Sequence, residues 1–378
     1  MSDKIPFSIV VWSRFMEKRS KKEIKVNNND SLLPPQSAFG SQQLDFFQTF
    51  LCNTEEERKK LSNTIEFWES IPKYSMTQQA QNALRTKEGY LPVLEKEFVY
   101  NGIDCKLRIK PAAIQEKLEG KKIDNYYYPS ANEEIVEDAL RKIASDHQKG
   151  FFDDQGSSNE DLFTSGVCFT LNALREELHE RKKTRSHKEI VKSLKILQGS
   201  NIEIIFADGK VIALAPYIPV LIAASKIKNV EDANSKWIAQ FHPLVTKSIT
   251  QKSFRQYDYA VMMSHSTQLA RWLHKKLAHC YTNASLITSY EIWLSTIQRD
   301  SGHLECKRQA DTIRKLEDAL EELITNQVLS EFNRVETVNG ERRKIIDIKY
   351  SLKPHLEFIK DVKASNKRQS EALKSNPK

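Results

Sequence analysis

The first half of the chain alternates between two hydrophobic periods, and the change of period marks its predicted elements. Apolar and polar residues alternate over 94–100 and 103–109, and the Asn101-Gly102 pair between these runs predicts a hairpin turn. Apolar residues then recur at helical spacing over 133–146, which predicts an amphipathic helix. A short apolar run after this helix predicts another strand.

Two helices and a second hairpin follow in the same half. Asn172 is the predicted N-cap of the first helix. Ser186 and Glu189 match the capping-box pattern, which predicts where the second helix begins. Strands predicted at 202–206 and 210–215 flank an Asp-Gly turn. Helix, helix, strand, turn and strand is the element order of a winged helix.

A similar order returns in the second half of the chain. The predicted elements are a strand at 237–241, helices at 269–281, 290–298 and 307–326, and strands at 328–335 and 344–350. The two strands of the last pair flank an Asn-Gly turn, which is a second hairpin signal. We therefore expect an α+β fold with two tandem winged-helix domains.

Polar composition makes both ends of the chain poorly suited to a packed core. The N-terminal segment carries one apolar island, Leu44-Asp45-Phe46-Phe47. Such an island either docks on a partner or packs as an extra element on the body. We expect four segments: a mostly disordered arm (1–65), a first winged-helix domain (66–225), a second winged-helix domain (235–360) and a basic disordered tail (361–378).

The chain is basic enough to attract nucleic acid, although charge alone does not prove a contact. Lysine and arginine total 58 against 50 aspartate and glutamate residues, a formal net charge of +8. The five cysteines are scattered without a CxxC pair, which favours a reducing compartment over a disulfide framework or zinc ribbon. No run of about 18 apolar residues and no signal peptide is recognisable, so we expect a cytoplasmic protein.

The long helix predicted at 307–326 carries the clearest candidate DNA contacts. The candidates are His303 in the preceding turn and, away from the apolar seam, Lys307, Arg308, Arg314 and Lys315. Recognition helices hold their N-terminal residues against base edges in the major groove, where arginine and lysine donate to guanine. Acidic residues follow on the exposed face, which suits a part of the helix that leaves the groove. We predict that this helix contacts bases or phosphates.

A basic stripe on the second helix of the first domain is a weaker candidate. It consists of Lys188, Lys192 and Lys195, and Arg185 lies in the turn before them. Such a stripe is often an ordinary solvated helix face. Its place on the second helix of a helix-turn-helix also suits contact with DNA, so both interpretations stay open.

The sequence lacks the motifs that would support nucleotide hydrolysis or DNA nicking. Gly120-Lys121 has no upstream glycine to complete a phosphate-binding loop. No His-x-His pair is present to hold the metal ion of a nickase. The Tyr126-Tyr127-Tyr128 run could supply a DNA-linking tyrosine, but without a metal pair we expect core and surface aromatics. We expect no catalytic residue, metal or cofactor.

Three parts of the chain resemble the TrfA-type plasmid replication initiators: residues 70–84, residues 126–144, and residues 290–302 with the helix that follows. The similarity spans about residues 66–335 and rests on element order and scattered residues. It implies a tandem winged-helix protein that binds direct repeats, called iterons, in a plasmid origin. Such initiators help open the adjacent AT-rich DNA and recruit the host helicase and polymerase clamp. A homodimer is kept open as a further partner state.

A short peptide in the N-terminal arm resembles a second known motif. Gln43, Leu44, Asp45, Phe46 and Phe47 are similar to the bacterial sliding-clamp-binding pentapeptide, usually written Gln-Leu-Ser/Asp-Leu-Phe. The departure is at Phe46, where the motif has leucine. Within an initiator, a peptide of this kind in a disordered arm predicts binding to the host sliding clamp.

Two other functional classes fit the same element order. A transcriptional regulator with two DNA-reading domains would have no use for a clamp-binding peptide. A pure interaction protein, in which the first winged helix dimerises, would not touch DNA. Binding to random duplex over a salt series separates the latter from a DNA-binding protein, because phosphate contacts make affinity fall steeply with salt.

Overall fold

In a computed structural model of the chain, residues 54–118, 121–145, 149–153, 164–224, 232–339 and 345–374 are described. They form a mixed α/β structure with antiparallel sheets. The helices are α1 (Glu55–Lys60), α2 (Glu66–Ser70), α3 (Gln78–Leu84), α4 (Ala131–Ser145), α5 (Leu171–Glu180), α6 (His187–Gly199), α7 (Pro243–Thr250), α8 (Tyr259–Ser264), α9 (Gln268–Cys280), α10 (Leu294–Ser301), α11 (Gln309–Thr325) and α12 (Leu356–Lys374). No helix among the described residues is long and apolar enough to cross a membrane.

The strands of the described residues pair in five sheets. They are β1 (Leu61–Ile65), β2 (Leu94–Tyr100), β3 (Ile103–Lys110), β4 (Ala112–Leu118), β5 (Lys121–Tyr127), β6 (Gly150–Asp153), β7 (Thr164–Thr170), β8 (Asn201–Phe206), β9 (Val211–Pro216), β10 (Leu221–Ala224), β11 (Lys236–Gln240), β12 (Phe254–Asp258), β13 (Tyr290–Trp293), β14 (Leu329–Val338) and β15 (Ile345–Pro354). The sheet orders are β1-β12, β2-β3-β8-β9, β4-β5, β10-β11-β7-β6 and β13-β15-β14.

The first hydrophobic core is built mainly from the two four-stranded sheets and from helices α4, α5 and α6. Antiparallel register places Leu107 of β3 opposite Ile204 of β8, and both side chains are fully buried. Leu174 and Leu178 lie one turn apart on α5 and bury the same face. The alternation along the strands and the helical spacing of the leucines therefore converge on one core.

Two local signals in this half are confirmed. Asn101 and Gly102 have φ angles of 50° and 77°, which both lie in the left-handed region that a two-residue hairpin turn requires. Ser186 accepts a hydrogen bond from the backbone N–H of Glu189, and the Glu189 carboxylate accepts one from the backbone N–H of Ser186. Both features fix an element boundary through backbone chemistry, which is why the sequence predicts them well.

The hairpin β4–β5 is an element that hydrophobic patterning does not predict. Its strands are charged, and it packs β4 along helix α6. At the end of α6, a Cβ added to Gly199 would stand 2.9 Å from the Cβ of Ala112, so the helix and the strand approach closely there. This hairpin covers part of the helix that carries the lysine stripe.

The second hydrophobic core contains α9, α10, α11, α12 and the sheet β13-β15-β14. Ile292 of β13 lies opposite Tyr350 of β15, and both are buried. Helix α11 contributes one continuous apolar edge at helical spacing. The buried residues of that edge are Thr312, Leu316, Ala319, Leu320 and Leu323.

Several predicted boundaries differ from the structure. The predicted helix 290–298 begins as strand β13, because Tyr290–Trp293 pairs with β15, and helix α10 starts only at Leu294. The N-cap of α5 is Thr170, which accepts from the N–H of Ala173, and not Asn172. In both cases the element begins a few residues away from the position that the local sequence signal predicts.

Ordered elements lie within both segments that the sequence prediction takes as disordered. Helix α12 continues to Lys374 within the predicted tail 361–378, because Phe358, Ile359 and Val362 pack into the second core. At the other end, strand β1 within the predicted arm is buried and pairs with β12. Residues 1–53 and 375–378 lie outside the described residues.

The segment 237–263, which the sequence prediction places in the second domain, contributes to the first core. Trp237 and Ala239 are buried there because β11 pairs with β7 in the first half. Met262 and Met263 of α8 are fully buried in the same core. The second core begins with Leu269 at the start of α9.

Buried charges join elements of the two cores. Lys275 of α9 places its Nζ 2.8 Å from a carboxylate oxygen of Asp138 on α4 and 3.4 Å from Glu69 on α2. Arg141 of α4 lies 2.6 Å from Glu69 and 2.5 Å from Asp138. Asp138, Arg141 and Lys275 are buried, and the side chain of Glu69 is only 9% exposed. Each charge therefore depends on the others, since an unpaired buried ion costs several kcal/mol.

A second pair extends this network along α9. Arg271 lies 3.2 Å from Glu134 of α4, and Lys275 lies 3.4 Å from the other oxygen of that carboxylate. Burial alone would raise the pKa of Glu134, but Lys275 and Arg271 outweigh it and hold the pKa at about 2. The carboxylate therefore stays ionised at neutral pH. We call these six residues, Glu69, Glu134, Asp138, Arg141, Arg271 and Lys275, the ionic network.

Removal of Lys275 should destabilise the protein strongly. Lys275→Ala leaves the buried carboxylates of Asp138, Glu69 and Glu134 short of a cation, and we expect a loss of about 3–5 kcal/mol in the free energy of unfolding. Urea unfolding followed by circular dichroism measures it. Lys360→Ala, which removes the exposed pair with Glu357, is the control and should cost less than about 1 kcal/mol. Equal effects of the two substitutions would contradict this role of the network.

Candidate nucleic-acid interface

Helix α11 is held in place by its buried edge and by the turn before it. Helix α10 ends at Gly302, whose φ of 65° favours glycine. A Cβ added there would stand 2.6 Å from the Cβ of Ser75, which lies between α2 and α3. The turn therefore rests against a segment of the first half, and only glycine fits both the backbone angle and the space.

The N-terminal end of α11 presents its basic side chains to solvent. Lys307, Arg308 and Lys315 are exposed, and none has an ion-pair partner within the described residues. Arg314 is 72% exposed and lies 3.1 Å from Asp311 on the same helix. An exposed pair of this kind is weak, so the guanidinium stays available to another anion. Arg314 and Lys315 lie in the second turn of α11, Arg308 is its N-cap and Lys307 precedes it.

The acidic half of α11 has an internal role. The Glu322 carboxylate accepts from the backbone N–H groups of Ser266 and Thr267 and, at 2.7 Å, from the Thr267 hydroxyl, so it satisfies the first turn of α9. Glu317 lies 2.6 Å from Arg334 of β14. These two carboxylates tie α11 to its neighbours, whereas Asp318 and Glu321 on the same helix are exposed.

The hairpin β14–β15 is attached to helix α10. Asp347 of β15 accepts from the backbone N–H of Ser295 at 3.2 Å and from its hydroxyl at 2.5 Å. Ser295 belongs to the first turn of α10, where N–H groups lack helical partners. These bonds join the hairpin to the start of α10. The hairpin tip, residues 340–344, lies outside the described residues.

His303 does not join the exposed cations. Its side chain is half-buried and faces Glu134, Arg271 and Lys275 of the ionic network. Burial is the main cause that lowers the pKa of His303, to about 4. The imidazole is neutral at pH 7 and supplies no positive charge to a phosphate. A contact between His303 and DNA stays a prediction, and a neutral imidazole would make it as a hydrogen-bonding group.

The lysine stripe of α6 is only partly free. Lys188 and Lys195 are exposed without an ion-pair partner in the described part of the chain. Lys192 lies 2.7 Å from Glu116 of β4 and 4.0 Å from the ring centroid of Tyr127 of β5. Burial opposes the charge of Lys192, but its bonds to Glu116 and Tyr127 raise its pKa overall. One of the three lysines is thus already neutralised by the hairpin β4–β5.

The other predicted residues fall into three groups. Arg185 donates to the side-chain oxygen of Asn132 at 2.7 Å and is half-buried. Tyr128 is buried and donates its hydroxyl to the backbone of Pro92, while Tyr126 is half-buried on the surface of β5. Gln43, Leu44, Asp45, Phe46 and Phe47 lie outside the described residues. The described part of the chain holds no cluster of three or more His, Cys, Asp or Glu side chains that could bind a metal ion.

Sequence reasoning missed two acidic partners of the interface. Glu116 neutralises Lys192 across 76 positions of sequence, and Asp347 joins the hairpin to α10 across 52. Neither carboxylate stands out in its own segment. Only the pairing of distant strands and helices brings these residues together, so no local signal could have found them.

Comparisons with known proteins give a likeness in structure at low sequence identity. Two crystal structures of domains 2 and 3 of RctB match. The first has a TM-score of 0.41 and 10% identity, and the match covers 72% of this chain and 95% of that chain. The second has a TM-score of 0.39 and 11% identity, and the match covers 74% of this chain and 98% of that chain. The crystal structure of Pi initiator protein in complex with iteron DNA matches at 0.40 with 12% identity, covering 60% of this chain and 91% of that one. No family model and no curated protein matches the chain. Residue roles do not transfer at this level, and membership of the TrfA-type family stays an expectation.

The two basic helices should respond differently to substitution. On random duplex DNA, Lys195→Ala should reduce the slope of log affinity against log salt by about 0.9, the value for one lost phosphate contact. Lys192→Ala should reduce it less, because Glu116 already neutralises that charge. His303→Gln should leave the slope unchanged. Filter binding over a salt series measures all three, and an equal reduction for Lys192→Ala and Lys195→Ala would contradict the partial cover by β4–β5.

Proposed function

We propose that this protein binds double-stranded DNA sequence-specifically and does so without catalytic chemistry of its own. The observation that carries this proposal is the free basic end of α11. Lys307, Arg308 and Lys315 are exposed at the start of a helix whose opposite edge is buried. That is where a recognition helix meets base edges and phosphates.

The element order around α11 supports a winged-helix domain. Helix α9, strand β13, helices α10 and α11, and the hairpin β14–β15 follow one another in sequence, and β13 pairs with β15. In the first half, α4, β7, α5, α6, β8 and β9 follow the same order, although β7 pairs with β6 and β11 in another sheet. We propose two tandem winged-helix domains, with the first extending to about the end of α8.

The finer proposal is an initiator of plasmid replication. Binding of direct repeats at an origin, opening of adjacent AT-rich DNA and recruitment of host replicative helicase machinery follow from the resemblance in the sequence. Two reading domains in one chain suit a repeat of about 20 base pairs, since each helix-turn-helix covers roughly one helical turn. Selection of bound sites from a random duplex library with the full chain would reveal such a repeat, and recovery of no preferred sequence would contradict the proposal.

Arg308 should make the largest contribution to sequence preference. It is exposed at the N-cap of α11 and its side chain makes no capping bond. If it donates to guanine, Arg308→Ala should weaken binding to the selected site by about 1–3 kcal/mol and binding to random duplex much less. Fluorescence anisotropy with both duplexes measures this difference. Glu331→Ala, an exposed residue of β14 paired only with Lys353, is the control and should leave the preference intact. Equal losses on both duplexes would make Arg308 a phosphate contact.

Residues 43–47 should bind the host sliding clamp. Leu44 and Phe47 are the proposed anchors, and each gains roughly 1.5–3 kcal/mol if a groove on the clamp buries it fully. Because ordering the peptide offsets part of this gain, we expect an affinity of about 1 μM. Leu44→Ala with Phe47→Ala should abolish capture of the clamp and leave duplex binding intact. Capture of the clamp by this double variant would contradict the assignment and favour a transcriptional regulator.

A further inference from the structure

A tight loop between α3 and β2 holds an aromatic ring in solvent. The N–H of Tyr90 donates to the hydroxyl of Thr86 at 3.2 Å, and the N–H of Gly89 donates to the Thr86 carbonyl at 3.1 Å. The carbonyl of Gly89 accepts from the N–H of Tyr126, which attaches the loop to β5. Tyr90 is nevertheless 52% exposed. The loop is fixed at both ends, so the ring stands in solvent in a defined place.

Gly89 explains why the loop keeps this shape. Its φ of 92° is one that side chains rarely adopt, and an added Cβ would stand 2.7 Å from the side-chain oxygen of Asn125. The loop therefore lies directly against β5. This contact brings the ring of Tyr90 to 5.0 Å from that of Tyr126, measured between centroids, with the planes tilted by 45°.

A cation, Arg85, lies next to these rings. The guanidinium carbon of Arg85 lies 4.7 Å from the ring centroid of Tyr127, and its nitrogens donate to the backbone carbonyls of Tyr126 and Gly89. No carboxylate pairs with Arg85 within the described residues. Tyr127 follows Tyr126 on β5, so its ring faces the other side of the hairpin. The rings of Tyr90 and Tyr126, with Arg85 beside them, form a surface that we call the tyrosine platform.

The rim of the tyrosine platform carries further charge. Lys87 of the loop and Lys122 of β5 are exposed without an ion-pair partner in the described ranges, and Glu88 and Asp124 are the exposed acidic neighbours. Glu116 lies on the opposite face of the hairpin and pairs there with Lys192. The cations with no internal partner therefore outnumber the free carboxylates. An anionic ligand with flat apolar faces complements such a surface.

We propose that the tyrosine platform binds single-stranded DNA. An unpaired base stacks on the exposed ring of Tyr90, and Arg85, Lys87 and Lys122 contact the phosphates on either side. Duplex DNA does not meet this requirement, because its bases already stack on one another. The site is distinct from the basic end of α11 and does not depend on the duplex reading proposed there.

The test measures binding of the full chain to three labelled probes by fluorescence anisotropy. The probes are an oligothymidylate of about 12 nucleotides, within the usual site size, an abasic strand of equal length, and a random duplex. We expect Tyr90→Ala to weaken oligothymidylate binding roughly 5- to 100-fold, the range for loss of one stacked base. Tyr90→Phe, which keeps the ring, should stay within about twofold of the parent. Ile287→Ala, which alters a residue 95% exposed on another loop, should have no effect.

The binding results for the three probes decide between the stacking site and its alternatives. Equal affinity for the abasic strand and for oligothymidylate would overturn the stacking site, as would an equal loss on the duplex for Tyr90→Ala. If the parent binds the duplex but no single strand, this proposal fails and duplex binding stands. If it binds single strands but no duplex, the proposed function fails and this site stands. Lys87→Gln with Lys122→Gln gives a second reading, since it should lower the salt slope on oligothymidylate by about 0.7 for each lost contact.

Discussion

The pairing of buried charges between α4 and α9 is the constraint on which the rest of the structure depends. Lys275 and Arg271 extend from α9 into carboxylates of α4 and α2. Attraction between such ions barely offsets the cost of removing them from water, so the network adds little net stability compared with a hydrophobic contact. The network instead fixes the position of α9 relative to α4 and α2, because a shift of α9 by a few ångström would leave several buried charges without partners. The first helix of the second core is thereby held in one position relative to the first.

The orientation of helices α10 and α11 follows from that position. Gly302 at the end of α10 lies against Ser75, and Asp300 receives a backbone N–H from Val99 of β2 at 3.5 Å. The turn is therefore supported by the first half and by its own core together. His303, next to this turn, faces the same ionic network, and its burial explains why a histidine in a basic segment is neutral. His303 thus lies among the residues that support the start of α11, and its contact with DNA stays a prediction.

Local chemistry made much of the fold predictable. The Asn101-Gly102 turn and the Ser186 capping box fix element boundaries through the residues nearest to them. The unpredicted hairpin β4–β5 differs because its charged strands have no hydrophobic period and are stabilised by distant contacts, such as that of Glu116 with Lys192. Tyr290–Trp293 shows the same limit: helical spacing continues through it, but pairing with β15 makes it a strand. Where a distant partner decides conformation, one sequence cannot show it.

The candidate interface shows the same division between local and distant causes. Spacing along the chain correctly separates Lys307, Arg308 and Lys315 from the apolar edge of α11. It cannot distinguish Lys192 from Lys195, since both lie on one face of α6 and only Lys192 meets a carboxylate of β4. The net charge of the chain does not reveal this difference, because a paired lysine and a free lysine contribute equally to it. The capacity to hold a phosphate belongs to those cations whose charge the fold has left uncompensated, and such cations occur on α11, on part of α6 and at the rim of the tyrosine platform.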